Sequence, residues 1–455
     1  MAMPVFGVED RAMPLSFEFT ARKLVYGGEA LGHYQGRVVL VPRALPGERL
    51  EVEEALTAKG VIHARPLRIL EAAPERVEPP CPYFGRCGGC QYQHLRPELQ
   101  SAAKRETLRE TLRRIGHIGT ATWDAEIPVH AAHPWNYRNQ AQLKVALQPD
   151  GKVRLGFFEA ESHRLVPIDA CLILSPRLNA ILADVRGADW SKRLAGVAPF
   201  SEIELLADDR DEEVSITLRG SFDRARAFDD QGWSGLAEEC LRLLPGVTSV
   251  AIERGRAFRV FGKPALSYAV GDFRYQVSHG SFFQASRFLL PELVTAATSG
   301  GVDAAPANRD ALALDLFAGV GLFTLPLARG FGQVIAVESN PRSAADLAAN
   351  AQAHGLSNVR AVRQSAFDFL RRFARAEPDL AVLDPPRAGV GMPALKLLAG
   401  VRPQRIHYVS CHPPTLARDL AYLVERGYRL ESVELFDFFP QTFHIESLAR
   451  LASQP

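Results

Sequence analysis

The sequence predicts an α/β protein in three parts: a C-terminal doubly wound parallel sheet, a central α+β domain and a small N-terminal β-barrel. Three observations carry that expectation. The runs Gln333 to Glu338, Leu380 to Asp384 and Ile406 to Cys411 each read as a buried strand ending in a reactive side chain, with helical patterns between them. From Leu15 to Leu70, short alternating runs are separated by turn residues at even spacing. A chain of 455 residues, 47% hydrophobic, is also too long for one ordinary domain and implies two or three.

Composition narrows the setting. Fifty-three basic and fifty-two acidic residues leave a net charge of +1, which excludes a strongly basic nucleic-acid coat but not a local basic patch. No apolar run approaches the roughly 18 residues of a membrane span. Met1 to Asp10 lacks the basic-then-apolar order of a signal peptide, so a cytoplasmic protein with no membrane partner is expected, acting as a monomer.

In the barrel, the strands Ser16 to Thr20, Arg37 to Val41 and Arg49 to Glu53 are punctuated by Tyr26-Gly-Gly28, Pro46-Gly47 and Lys59-Gly60. Arg22, Lys23, Tyr26, His33, Tyr34, Arg37 and Arg43 fit either a nucleic-acid face or an ordinary solvated one. After a Pro-rich linker comes Cys81-Pro-Tyr-Phe-Gly-Arg-Cys87-Gly-Gly-Cys90. Three of the six cysteines within ten residues, in a chain with no secretion signal, point to a metal or iron–sulfur site rather than disulfides. Iron–sulfur is favoured over zinc because no histidine completes a usual zinc spacing nearby. Cys171 is the better candidate for a fourth ligand, since Cys240 lies in a helical pattern that suits packing.

Arg96 to Ile115 reads as a basic amphipathic helix whose Lys104, Arg105, Arg109, Arg113 and Arg114 face either RNA or solvent, with Glu98, Glu106 and Glu110 able to pair with them. His133 to Lys144 interleaves aromatics, bases and amides, a mixture suited to single-stranded RNA. Ala141 to Leu266 reads as mixed strands and helices without visible chemistry.

The C-terminal part carries the chemistry. Leu312-Ala-Leu-Asp-Leu-Phe-Ala-Gly-Val-Gly-Leu-Phe-Thr324 is an apolar strand entering a glycine turn and a helix, the form of a nucleotide-binding βα turn. Glu338 follows it at the distance where an acid meets ribose hydroxyls. Cys411 stands at the edge where Pro413 and Pro414 stop its strand, so a thiol sits beside a nucleotide pocket and suggests group transfer. The terminal apolar runs, split by a Pro-containing loop, are expected to pair antiparallel to the sheet and return His444 and Glu446 to the same rim. Partial burial would raise the Glu446 carboxyl pKa and suit it to act as a base.

Ser-Cys-x-Pro-x-Thr-Leu-Ala-Arg-Asp at Cys411, Phe-Pro-x-Thr-x-His-x-Glu at Glu446, Asp-Pro-Pro-Arg at Asp384, Phe-Phe-Gln at Gln284, Asp-Leu-Phe-x-Gly-x-Gly at Phe317 and the cysteine cluster together resemble the RNA 5-methyluridine methyltransferase family. The likeness spans nearly the whole chain, in the family's motif order. It implies a Rossmann-like domain that uses S-adenosylmethionine, bound by Gln284, Phe317, Glu338 and Asp384, with Cys411 as nucleophile and Glu446 as base. The N-terminal segment resembles a TRAM domain, an OB-like barrel. With the cluster, similar to a [4Fe–4S] site on Cys81, Cys87, Cys90 and Cys171, it places the chain nearest the branch acting on 23S rRNA; tRNA and a catalytically degenerate RNA-binding role are the alternatives. The expected division is a barrel over 15–72, a central domain over 73–97 and 128–270, and a methyltransferase domain over 98–127 and 271–455. The chain departs from the family pattern at His412, Leu322 and Ala285-Ser286.

Overall fold

The computed structural model describes residues 15–454 except 120–122, 148–152, 188–189, 191–192, 194–199, 221–229, 256, 300–307 and 374–376; the N-terminal stretch read above for a signal peptide lies outside them. Among the described residues no helix is long and apolar enough to cross a membrane.

The N-terminal strands are β1 (Ser16–Thr20), β2 (Lys23–Leu24), β3 (Glu29–Tyr34), β4 (Arg37–Pro42), β5 (Arg49–Ala58) and β6 (Val61–Glu71), in spatial order β1-β5-β6-β4-β3-β2. The sheet curls on itself: a Cβ on Gly32 would lie 2.3 Å from the Thr20 carbonyl and 2.5 Å from the Phe19 ring, so only glycine fits where β3 crosses β1. Alternate residues such as Phe17 and Phe19 fill the interior with Val39, Val41, Leu50 and Val52.

A helix, Pro97–Ile115, leads from the cysteine segment to the short strand β7 (Val129–His130). The central sheet follows: β8 (Gln140–Leu147), β9 (Val153–Phe158), β10 (Leu165–Pro167), β11 (Phe200–Ala207), β12 (Val214–Gly220), β13 (Val247–Arg254) and β14 (Ala257–Gly262), ordered β10-β9-β8-β11-β12-β13-β14. Helices Pro176–Val185 and Asp230–Leu243 contribute Leu178, Leu182, Leu236 and Cys240 to its core, so Cys240 is a packing residue as its helical setting predicts. A hairpin, β15 (Ala265–Val270) and β16 (Phe273–Ser278), precedes the last sheet.

That sheet contains β17 (Asn308–Leu316), β18 (Phe331–Glu338), β19 (Val359–Arg363), β20 (Leu380–Leu383), β21 (Arg405–Ser410), β22 (Tyr428–Phe436) and β23 (Glu446–Ser453), ordered β19-β18-β17-β20-β21-β23-β22-β7. Chain order reverses between β17 and β20, and that switch point opens a crevice at the carboxyl ends of the strands. Only β23 runs antiparallel; β22 pairs antiparallel with it and therefore lies parallel to the rest. The expectation that both terminal strands oppose the sheet is thus corrected: the helix Pro413–Glu425 carries the chain back, so β22 enters in the common direction and only the loop before β23 reverses it.

Candidate active site

The β21–β23 ladder pairs Val409 with Leu448 and Ser410 with Ser447. Cys411 and Glu446 are the next residues on each strand, so the ladder brings them opposite one another where pairing ends. The Ser447 hydroxyl donates to the Ser410 carbonyl at 3.2 Å, fixing this final rung. Asp384 directly follows the neighbouring strand β20, and the Gln284 side-chain amide donates to it at 3.3 Å.

Electrostatics follow from the crowding of acids. Burial, then the Glu446 and Asp384 carboxyls, pushes the Cys411 thiol up to about 12, with Arg387 opposing. Glu446 is completely buried and held well above the ordinary carboxyl range by desolvation, then by Asp384; one of its oxygens, Oε1, has no hydrogen-bond partner. Burial, and after it Asp315, raises Asp384 too. Among these three groups each favours the neutral form of the others.

The glycine turn lies one strand away. Phe317 takes φ = +67°, a region an aromatic residue adopts only under constraint, as β17 turns sharply outward. Gly319 and Gly321 continue the turn at φ +54° and +95°. Glu338 accepts the Gly319 N–H at 2.9 Å and the Asn340 N–H at 2.6 Å, so its carboxylate ties the turn to the next helix. Phe317, Glu338 and Asp384 therefore stand at the carboxyl ends of β17, β18 and β20, with Gln284 joined to Asp384, on the edge of the sheet where nucleotide-like ligands bind in such folds.

The tRNA (uracil-5-)-methyltransferase family model matches residues 100–453. The chain belongs to that family. An uncharacterized RNA methyltransferase of Thermosynechococcus vestitus is 33% identical over 96% of this chain and 98% of its own length. A second, of Aquifex aeolicus, is 32% identical over 95% and 98%. In fold, the chain is similar to the Pyrococcus abyssi tRNA (uracil-54, C5)-methyltransferase solved with S-adenosyl-L-homocysteine, with a TM-score of 0.70, 23% identity and 96% and 100% of the two chains covered. The RNA methyltransferase reading and its S-adenosylmethionine donor thus stand, as does the fold class.

Within this uracil-5 methyltransferase the departures have structural answers. His412 caps the helix Pro413–Glu425 by accepting the Thr415 N–H at Nδ1, 3.3 Å away, the service an Asn or Asp side chain gives at such a position. Leu322 is buried in the core beside the turn, and Ser286 is buried where its backbone bridges to Arg138.

Two RNA-facing readings are corrected. Lys104, read as part of a basic surface, is fully buried: its Nζ donates to Asp437 at 2.6 Å and to the Phe439 carbonyl at 2.8 Å. Tyr137 and Asn139, read among RNA-stacking residues, are also buried; Tyr137 donates to the Pro440 carbonyl and Asn139 to the Tyr268 hydroxyl. All of these partners but Tyr268 belong to the loop before Glu446, so the helix and the 133–139 segment hold the base-bearing loop.

Cys81, Cys87, Cys90 and Cys171 line one cavity of about 200 Å³ whose lining contains no histidine or carboxylate. Among the described residues no three His, Cys, Asp or Glu side chains are drawn together as a metal set. The donor chemistry nevertheless fits a cluster: four cysteines line a shared space, and the Gly89 N–H points at the Cys87 Sγ from 3.4 Å.

Residues to which sequence reasoning gave no place at this site also meet here. Asp315 is buried beneath the turn and takes the Thr324 hydroxyl. Arg387 is the nearby cation at Cys411. Tyr26 arrives from the barrel, edge-on to His412 at 5.1 Å. Arg387 was visible within the Asp-Pro-Pro-Arg motif, whereas Tyr26, read only among the residues of a barrel face, carried no sign that it reaches the Cys411 edge.

Proposed function

We propose that the protein methylates carbon 5 of a uridine in RNA, most simply in 23S rRNA, through a covalent adduct with Cys411. The observation that carries this is the placing of Cys411 and Glu446 opposite one another just beyond the last β21–β23 rung, beside the cofactor crevice. S-adenosylmethionine supplies the electrophilic methyl group and a positive charge. The Cys411 thiol gives its proton to water and adds as a thiolate to carbon 6 of uracil, which makes carbon 5 nucleophilic toward that methyl, the donor then leaving as its neutral thioether. Glu446, ionised at this stage, then takes the carbon-5 proton, and expulsion of the thiolate restores the ring double bond. Gln284, Phe317, Glu338 and Asp384 would hold the cofactor, with Glu338 toward the ribose hydroxyls. The target base must leave its stack to reach a thiol at this depth.

The four cysteines at 81, 87, 90 and 171 would hold a [4Fe–4S] cluster, supported by the cavity that they line together; we assign it a structural role. We assign RNA binding to the barrel over 15–72, the cluster to the central domain, 73–97 with 128–270, and transfer to 98–127 with 271–455. A tRNA substrate is the second reading, favoured by the fold likeness to an enzyme whose title names tRNA, a likeness that includes nearly all of this chain.

Glu446→Gln tests the mechanism. It is expected to accumulate a protein–RNA adduct that survives denaturing electrophoresis and maps to Cys411; absence of any adduct with wild-type-like turnover would remove Glu446 from its role.

A further inference from the structure

The N-terminal barrel reaches into the transfer site. Tyr26 sits at the tip of a tight turn closed by the Gly28 N–H to the Val25 carbonyl at 3.1 Å. Its ring lies edge-on to His412 at 5.1 Å and to Phe443 at 5.3 Å, with interplanar angles of 87° and 89°. Those residues flank the two chemical groups: His412 follows Cys411, and Phe443 precedes Glu446 by three positions. The close approach depends on Gly28 at φ +87°, where a Cβ would come within 3.0 Å of Gln91 and 3.3 Å of Phe443. Tyr26 packs against the core of the methyltransferase sheet rather than that of its own barrel.

Its hydroxyl is buried, and no partner meets hydrogen-bond geometry with it. Burial raises its pKa; the Arg387 guanidinium opposes this by its charge and as a loose hydrogen-bonding neighbour, and Cys411 and Glu446 add to the rise, so the hydroxyl stands among the groups proposed for catalysis. A buried phenol without a well-formed hydrogen bond costs up to about 1–3 kcal/mol, a cost that a ligand's polar atom would relieve. Tyr26 also lines, with Glu110, Arg114 and Pro414, an open groove of about 420 Å³ between barrel and helix, which leaves a strand of RNA room to approach the turn.

We propose that Tyr26 is a substrate-contacting residue of the transfer site, its hydroxyl donating a hydrogen bond to a carbonyl oxygen of the flipped uracil. The proposal rests on the uridine methyltransferase reading above. Addition at carbon 6 moves negative charge onto the carbon-4 carbonyl oxygen, so a donor aimed there strengthens as the adduct forms. The barrel is then part of the active site as well as an RNA-binding module.

Tyr26→Phe keeps both ring contacts and removes only the hydroxyl. Wild type and variant are compared for methyl transfer to RNA and for adduct formation on RNA containing 5-fluorouridine, which has no carbon-5 proton to lose. The expected result is a fall of about 10- to 100-fold in kcat and in the rate of adduct formation, with the KM for S-adenosylmethionine unchanged and the melting temperature equal to or above that of wild type. Wild-type rates in both assays would overturn the proposal, as would a rise confined to the KM for RNA, which would make Tyr26 an anchor for the strand. A wild-type protein that methylates no uridine would instead remove the functional reading, and this proposal with it.

Discussion

Cys411 and Glu446 both hold their protons too tightly, in the free protein, for the work proposed for them. The thiol is pushed up to about 12 by burial and by Glu446 and Asp384, and Glu446 is raised by burial and by Asp384. Each must be ionised at its own step, so the methyl-transfer rate is expected to rise between about pH 6 and about pH 9; a single-turnover rate that falls over that interval would show that neither deprotonation is required. Cys411→Ala is expected to bind S-adenosylmethionine and RNA while transferring no methyl group, measured by titration and by labelled transfer. Asp315 offers a test of the same electrostatics through stability. Burial, with Glu338 adding to it, lifts its carboxyl to about 7 against the Thr324 hydrogen bond. An acid raised in the folded state contributes stability that is intact below its unfolded pKa and is lost as pH rises through the folded one. Asp315→Asn should therefore melt higher than wild type at about pH 8 and gain little near pH 4; an equal shift at both would contradict the assignment. The placement of Cys411 and Asp384 was legible in the sequence because each follows an apolar run, and that of Glu446 because one follows it. Tyr26 was not, since its importance arises from a turn meeting residues more than 380 positions away.

Among the elements, the helix Pro97–Ile115 is the one whose sequence misleads. Its bases recur at helical spacing, and its extent matches the expectation almost to the residue, yet the pattern gives no sign that Lys104 faces inward. Lys104 is enclosed because Asp437 comes to meet it from the loop before β23, a pairing that exists only in the folded chain. Gln100 joins the same clamp, donating to the Gln441 side-chain carbonyl and accepting the Gln441 N–H at 2.8 Å. Removing one partner of a buried ion pair strands the other, so Lys104→Ala should cost about 3–5 kcal/mol in denaturant unfolding. A loss below about 1 kcal/mol would mean that Asp437 is otherwise satisfied, the Ser101 hydroxyl being its remaining donor. The strand directions show a similar limit: hydrophobic pattern located β22 and β23, but which of them opposes the sheet depends on the connections between them.

Across the whole molecule, three modules converge on one rim. The Cys90 segment continues into Gln91 and Tyr92, whose N–H groups both reach the Gln441 carbonyl, at 3.0 and 2.9 Å, so the cysteine loop buttresses the loop that carries Glu446. Protein purified without oxygen is expected to show the broad visible absorption of an iron–sulfur cluster and to lose it in Cys171→Ser; colourless wild-type protein containing stoichiometric zinc would replace that assignment. The motif order made the methyltransferase sheet, the barrel and the cysteine cluster readable from the sequence, because each has a local signature of spacing or alternation. Their mutual packing had none, and neither does the choice of RNA: the barrel and cluster argue for ribosomal RNA, while the fold is shared with a protein named for tRNA. The decisive measurement is labelled methyl transfer from S-adenosylmethionine to 23S rRNA and tRNA transcripts, side by side with the product nucleoside identified. 5-Methyluridine is expected in 23S rRNA; label in any other nucleoside, or in neither RNA, would contradict uridine carbon-5 methylation itself, and 5-methyluridine in tRNA alone would contradict the assignment to ribosomal RNA.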